Sequence, residues 1–241
     1  MNKPAISTII VIICLLIIGL YAMGEVNYFS TKIVVEKATP IDSAKIIIPS
    51  IGINEKINNQ SLNHGVLSDP GENVPTQNPI ILYGHRTLQG SPFLRLNELG
   101  IGDTFLLEWP GIGELNYSVT NTEIVPAEYE LNAVGKNRVY LITCDPIGST
   151  ENRIIIQGEL ASKNPLNTKV IEDNPQESYA IIISAIFLII GLVFSFFYPK
   201  EDRIYILVTV IIISAVLFYC CINPIPSEMI YDKIIFLNGG M

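Results

Sequence analysis

Three apolar segments without a single charge, Ala5 to Met23, Ser178 to Tyr198 and Ile204 to Ile222, restrict this chain more than anything else in it. About 20 consecutive apolar residues suffice to cross the hydrocarbon core of a bilayer as a helix. Backbone groups there must be satisfied within the segment, so helix is the expected form. A cleaved signal peptide is the competing reading for the first segment. Its apolar run exceeds the usual length, however, and Leu20 is a poor small-residue match ahead of Ala22. The polar stretch 24–177 is then left to form a domain outside the membrane.

Orientation follows from the basic residues close to the spans. Lys3 with the amino terminus, and Lys200 with Arg203, mark the cytoplasmic side. Three crossings place 24–177 and the tail 223–241 on the extracellular face, making this a multi-pass protein of the cell membrane. Residues 24–177 hold 19 Asp and Glu against 11 Lys and Arg. That balance argues against nucleic acid or an anionic lipid surface as the main partner.

The external segment reads as mainly β. Apolar runs at Ala44 to Pro49, Ile80 to Tyr83, Asp103 to Trp109, Glu114 to Thr120, Arg138 to Cys144 and Arg153 to Leu160 alternate with turn residues such as Pro110-Gly111-Ile112-Gly113. Asn121 to Val125 continues the fourth run after a kink. Short strands at near-regular spacing point to a sandwich or a barrel, and composition does not choose between them. The expected plan is a helix over 1–23, a stalk over 24–43, a β domain over 44–160 and a second stalk over 161–177. Helices over 178–198 and 204–222 and the tail follow.

Cysteine usage sharpens the picture. Cys14, Cys220 and Cys221 fall within the apolar segments, so Cys144 is the single cysteine of the external domain. On an oxidising surface an unpaired cysteine suggests a reactive thiol, against the plainer reading of a small buried hydrophobe. A disulfide from Cys144 to Cys220 or Cys221 would need the end of a membrane helix to reach the β domain. Cys144 closes the run Leu141-Ile142-Thr143-Cys144-Asp145-Pro146, and Arg153 opens the next one after a polar tract. Along an alternating strand Tyr140, Ile142 and Cys144 share one face, while Val139, Leu141 and Thr143 share the other. A thiol at a strand mouth facing an arginine on the next strand suits attack on a carbonyl and stabilisation of the oxyanion. His85 ends the run Ile80-Ile81-Leu82-Tyr83-Gly84-His85-Arg86 and is the candidate acid–base.

Taken together, Tyr83-Gly84-His85-Arg86, Leu141-Ile142-Thr143-Cys144 and Arg153 resemble the sortases, membrane-anchored cysteine transpeptidases of prokaryotic surfaces. Pro92-Phe93-Leu94-Arg95-Leu96 and Gly102-Asp103-Thr104-Phe105 resemble that family's short helix and the Gly-Asp turn into its next strand. The resemblance covers Ala44 to Leu160. It implies a closed β-barrel with transmembrane helices on both sides and a thiolate of Cys144 that forms a thioester with a sorting-signal peptide. His85 would protonate the leaving amine and deprotonate the incoming one, and Arg153 would hold the oxyanion or the substrate backbone. Thr143 and Leu141 are the candidate substrate-binding residues. The implied partners are a surface protein bearing an LPxTG-like sorting signal and an amine acceptor in the cell wall or on another surface protein. The interval from Cys144 to Arg153 and the membrane segment after the domain resemble class C. No Asp-Pro-aromatic lid motif is present in 24–43, and the second C-terminal span departs from the usual pattern.

Competing readings are a cysteine hydrolase of the same fold, ending in water, and a catalytically silent barrel that binds a peptide. Arg153 could instead pair with Glu151 or Asp145, a surface contact worth about 0–1 kcal/mol. Asp145 neighbours Cys144 on a strand and so points to the opposite face, away from a triad with His85. His64 reads as a loop residue. Glu123, Glu128 and Glu130 are too few and too loosely spaced for calcium, which takes 6–8 oxygen ligands, so no metal and no cofactor are expected.

Overall fold

In the computed structural model, residues 4–38, 44–62, 65–69, 74–87, 90–165 and 178–225 are described. The chain divides into two units, residues 39–176 and the two ends, 1–38 with 177–241.

The central unit is a β-barrel. Its strands are β1 (Lys45–Ile48), β2 (Ile53–Asn58), β3 (Val66–Ser68), β4 (Ile80–Tyr83), β5 (Thr104–Trp109), β6 (Gly113–Pro126), β7 (Arg138–Asp145) and β8 (Asn152–Asn164). They close in the order β1-β2-β3-β4-β7-β8-β6-β5, with β2–β3 and β4–β7 parallel and the other pairs antiparallel. Closure removes the unpaired strand edges that a sheet of this length would otherwise expose. The expectation of a mainly β, closed barrel holds.

Alternation decides what fills it. Ile46, Ile48, Ile80, Leu82, Val139, Leu141, Ile154 and Ile156 point inward with Phe105 and Tyr117, whose rings stack at 5.4 Å. Gly158 leaves room for that stack, since a Cβ there would lie 2.5 Å from Phe105 Cζ. The kink anticipated near Asn121 is a register shift between Val119 and Asn121 inside one continuous β6. The Gly-Asp turn before β5 is held by Gly102 N–H donating to Val119 O and Val119 N–H donating to Asp103 O, both 2.8 Å. Pro92 to Arg95 is a turn that leads into a single 3-10 turn at Leu96–Glu98, less than the short helix anticipated.

Three boundaries differ from the sequence reading. Strands β2 and β3 were not anticipated. In Ile53-Asn54-Glu55-Lys56-Ile57 a glutamate takes the middle inward position, opposite Ile46, and β3 is only three residues long. Strand β8 runs to Asn164, so the stretch expected to begin a stalk at 161 is still paired with β6. The rest of that stalk, 166–177, lies outside the described residues, as do 39–43 and His64.

The third boundary is the first helix, α1, which spans Ile6–Ala38 instead of ending at Met23. No proline interrupts the chain between Pro4 and Pro40, and Val26 and Phe29 are buried on the same helix. The expected stalk at 24–38 is therefore helical. Helix α2 (Tyr179–Phe197) and helix α3 (Arg203–Ile222) complete this unit. All three helices are long and apolar enough to cross a membrane. Asp202, in the α2–α3 turn, accepts from Ala5 N–H at 3.1 Å and from Thr8 Oγ1 at 2.6 Å. Beyond the far end of α3, Ile225 N–H donates to Asn27 Oδ1 at 2.6 Å. The start of α1 and the α2–α3 turn thus share one end of the helix bundle. Gly191 of α2 lies where a Cβ would strike Val210 of α3, so this crossing depends on a small residue.

Candidate active site

Register brings the sequence-predicted residues into one row. On β7 and β8, Cys144 is the partner of Arg153. On β4 the parallel pairing reaches Tyr83 opposite Ile142, and Gly84 N–H continues it by donating to Ile142 O at 3.1 Å. His85 follows two residues after Tyr83, as Cys144 follows two after Ile142. His85, two residues past the end of β4, therefore follows the register that puts Cys144 of β7 beside Arg153 of β8.

All three belong to the outer face. Tyr140, Ile142 and Ile155 form an outer apolar patch with Ile81, Tyr83, Val125, Leu131 and Ala133 packed on it. By alternation, Cys144 continues the line of Tyr140 and Ile142, His85 that of Ile81 and Tyr83, and Arg153 that of Ile155. The row thus stands at the head of an apolar floor whose central residues, Tyr140, Ile142 and Ile155, are themselves buried.

The imidazole of His85 is largely buried, and burial holds its pKa below the ordinary histidine value. Losing water disfavours the charged form, so the ring is neutral at neutral pH and free to take a proton. Tyr83, beside it on the floor, has its pKa raised by burial and by a hydrogen bond to Asp69. Cys144 is a half-buried free thiol. Arg153 Nη1 donates to Thr150 O at 2.8 Å and to Asn152 O at 3.0 Å, leaving Nε and Nη2 without a partner among the described residues. It pairs with neither Glu151 nor Asp145.

Asp145 has another partner, which the sequence reading quoted only as motif context. Arg86 is 6% exposed and makes a 2.5 Å ion pair with Asp145 through Nη1. The same Nη1 donates to Cys144 O at 3.2 Å, Nη2 donates to Asn97 Oδ1 at 2.8 Å, and Nε donates to Leu94 O at 3.3 Å. Asp145 is therefore not the orienting group of a triad with His85.

Two expected substrate contacts are corrected. Leu141 is completely buried in the barrel core, and Thr143 is 2% exposed with its hydroxyl donating to Gly84 O at 2.8 Å. Both lie on the inner face of β7, because alternation that turns Cys144 outward turns its neighbour and Leu141 inward. Thr143 ties β7 to the residue preceding His85, and Leu141 packs the core. Tyr140 and Ile142 lie on the opposite, outer face, where both are buried in the outer apolar cluster. Among the described residues no cluster of His, Cys, Asp or Glu could hold a metal ion; Glu123 lies on β6, and Glu128 and Glu130 are exposed in the loop after it.

The model of the sortase domain matches residues 43–161. Among solved structures, sortase C-1 of Actinomyces oris is 31% identical, over 49% of this chain and 73% of that one, with a TM-score of 0.44. A lid mutant of sortase A from Corynebacterium diphtheriae is 26% identical, over 52% and 73%, with a TM-score of 0.46. Clostridium perfringens sortase C, solved with the C-terminal cell wall sorting motif, is 27% identical, over 49% and 69%, with a TM-score of 0.43. No curated protein matches the chain. With the sortase-domain model matched over residues 43–161, from just before β1 to within β8, the chain belongs to the sortase family.

Proposed function

We propose that this protein cleaves an LPxTG-like C-terminal sorting signal and transfers the acyl product to an amine in the cell wall or on another surface protein. The observation that carries the reading is the single row of His85, Cys144 and Arg153 across β4, β7 and β8. A nucleophile, a neutral base and a fixed cation on adjacent strands are the parts an acyl transfer needs.

The steps follow from the groups present. His85 takes the proton of Cys144, and the thiolate attacks the scissile carbonyl carbon. As the C–S bond forms, the carbonyl oxygen becomes an oxyanion that the Nε and Nη2 donors of Arg153 can meet. Collapse breaks the C–N bond, and His85 returns its proton to the leaving amine. The incoming amine loses a proton to the same imidazole, attacks the thioester and releases the thiolate. The barrel stands on the extracellular face of the membrane, with α1, α2 and α3 as anchors and the α2–α3 turn in the cytoplasm.

The test uses the full chain in detergent micelles with an LPxTG peptide. Intact-mass analysis should find the acyl fragment bound to Cys144, and a short peptide with a free amine should replace it in a ligated product. Cleavage that survives Cys144→Ala would overturn the reading, because the external domain holds no other thiol. Release of free acid alone, with amine in excess, would replace transfer by hydrolysis.

A further inference from the structure

We propose that Arg86 is a positioning residue for the Cys144–His85 pair, a role that rests on the assignment of those two as nucleophile and acid–base. Hydrogen bonds between β4 and β7 stop one residue short of the row. The ladder ends with Gly84 N–H on Ile142 O, and Thr143 Oγ1 adds a bond to Gly84 O. At the level of Cys144 itself, backbone pairing among the described residues holds β7 on the β8 side only. The guanidinium of Arg86 takes the place of the missing rung by donating to Cys144 O.

Its other bonds determine where that rung stands. Nη2 reaches Asn97 and Nε reaches Leu94 O, both on the segment that packs under the site. The same segment binds His85 directly, with Phe93 N–H donating to His85 O at 3.0 Å. The backbones of the base and the nucleophile are thus referenced to one short stretch of chain, and Arg86 is the link on the cysteine side. A buried ion pair is weak evidence for stability on its own. Donors spread over Asn97, Leu94, Cys144 and Asp145 instead fix a direction, which one ammonium group cannot do.

The experiment compares full-length Arg86→Gln, Arg86→Lys, Asn97→Ala, His85→Ala and the double variant Arg86→Gln/His85→Ala in detergent micelles. One readout is the rate at which iodoacetamide alkylates Cys144, followed by peptide mass spectrometry, which needs no peptide substrate. The other is kcat and KM on an LPxTG peptide. Arg86→Gln should slow alkylation about as much as His85→Ala, and the double variant should be no slower than His85→Ala alone. On the peptide, kcat should fall about 10²-fold, the scale of a 1 Å misplacement, with KM within about twofold. Arg86→Lys should recover only part of the loss. A folded Arg86→Gln with kcat and alkylation within twofold of wild type overturns the proposal, as does a double variant whose losses multiply. Should Arg86→Gln fail to fold, Asn97→Ala decides: a several-fold fall in kcat at constant KM supports the role, and no change removes it. Alkylation that depends on Arg86 in a protein that cleaves no peptide would sink the proposed function and leave the positioning role standing.

Discussion

Replacing Gly84 by alanine tests how tightly the row is built. A Cβ on Gly84 would lie 2.5 Å from Phe93 Cδ2, 2.7 Å from Cγ and 3.0 Å from Cε2. Carbon atoms settle at about 3.5–4.0 Å, so ring or strand must give by about 1 Å. The ring has little room, because Phe93 is fully buried in the barrel core. Such overpacking costs about 1–3 kcal/mol. The strain also reaches the site, since Phe93 N–H is bonded to His85 O. Trp109 provides the assay, being the one tryptophan of the chain, at the end of β5 and packed on the core. Its emission during urea unfolding in micelles reports on the barrel without a contribution from the helices. With a slope of about 2 kcal/mol per M, a loss of 2 kcal/mol lowers the midpoint by about 1 M. Phe93→Ala removes Cγ, Cδ2 and Cε2 together, so the double variant should lose less than the sum of the single losses, by about 1 kcal/mol. A Gly84→Ala midpoint within about 0.2 M of wild type, or strictly additive losses, would refute the packing argument.

Other outcomes follow from the same geometry. Because burial lowers the pKa of His85, its charged form accumulates only below the ordinary histidine range. The acid limb of kcat/KM should therefore lie on the acid side of that range, and a limb above it would contradict a neutral buried base. His85→Ala should cut kcat by about 10² to 10⁴. Arg153→Lys should lose most activity despite keeping its charge; full activity would reduce Arg153 to a positioning charge. Leu141→Ala should lower barrel stability by about 2–5 kcal/mol, seen in Trp109 emission, while leaving KM unchanged. On intact cells an impermeant thiol reagent should label a cysteine placed at 232 and spare one placed at 201, and the reverse would invert the topology.

The proposed catalytic row was legible in the sequence because each member sits at the boundary of an apolar run: His85 and Cys144 after one, Arg153 before one. Face assignment on β7 was harder. Val139 and Leu141 pack the core while Tyr140 and Ile142 build the outer patch, so the strand is apolar on both sides and alternation of polarity gives no sign of which side is inside. Only the tertiary register separates Leu141 from a substrate contact. Arg86 was hidden for another reason. Its partners Leu94, Asn97 and Cys144 are brought together by a loop return that no local pattern encodes. The extra length of α1 was obscured by Glu25 and Asn27, polar residues that interrupt the hydropathy of the span without interrupting its helix.

A row assembled from three strands constrains how the gene can change. Adding or deleting one residue within β7 would exchange its faces, turning the thiol into the core and the side chains of Leu141 and Thr143 to the outer face. The closed barrel leaves no free edge where such a slip could be absorbed. The loops 127–137 and 146–151 lie beyond the paired segments and can lengthen or shorten at modest entropic cost. Variation in length among natural or engineered versions of this chain should therefore collect in those two loops, which flank the row. Substrate preference could then drift there while the spacing of β4, β7 and β8 stays locked.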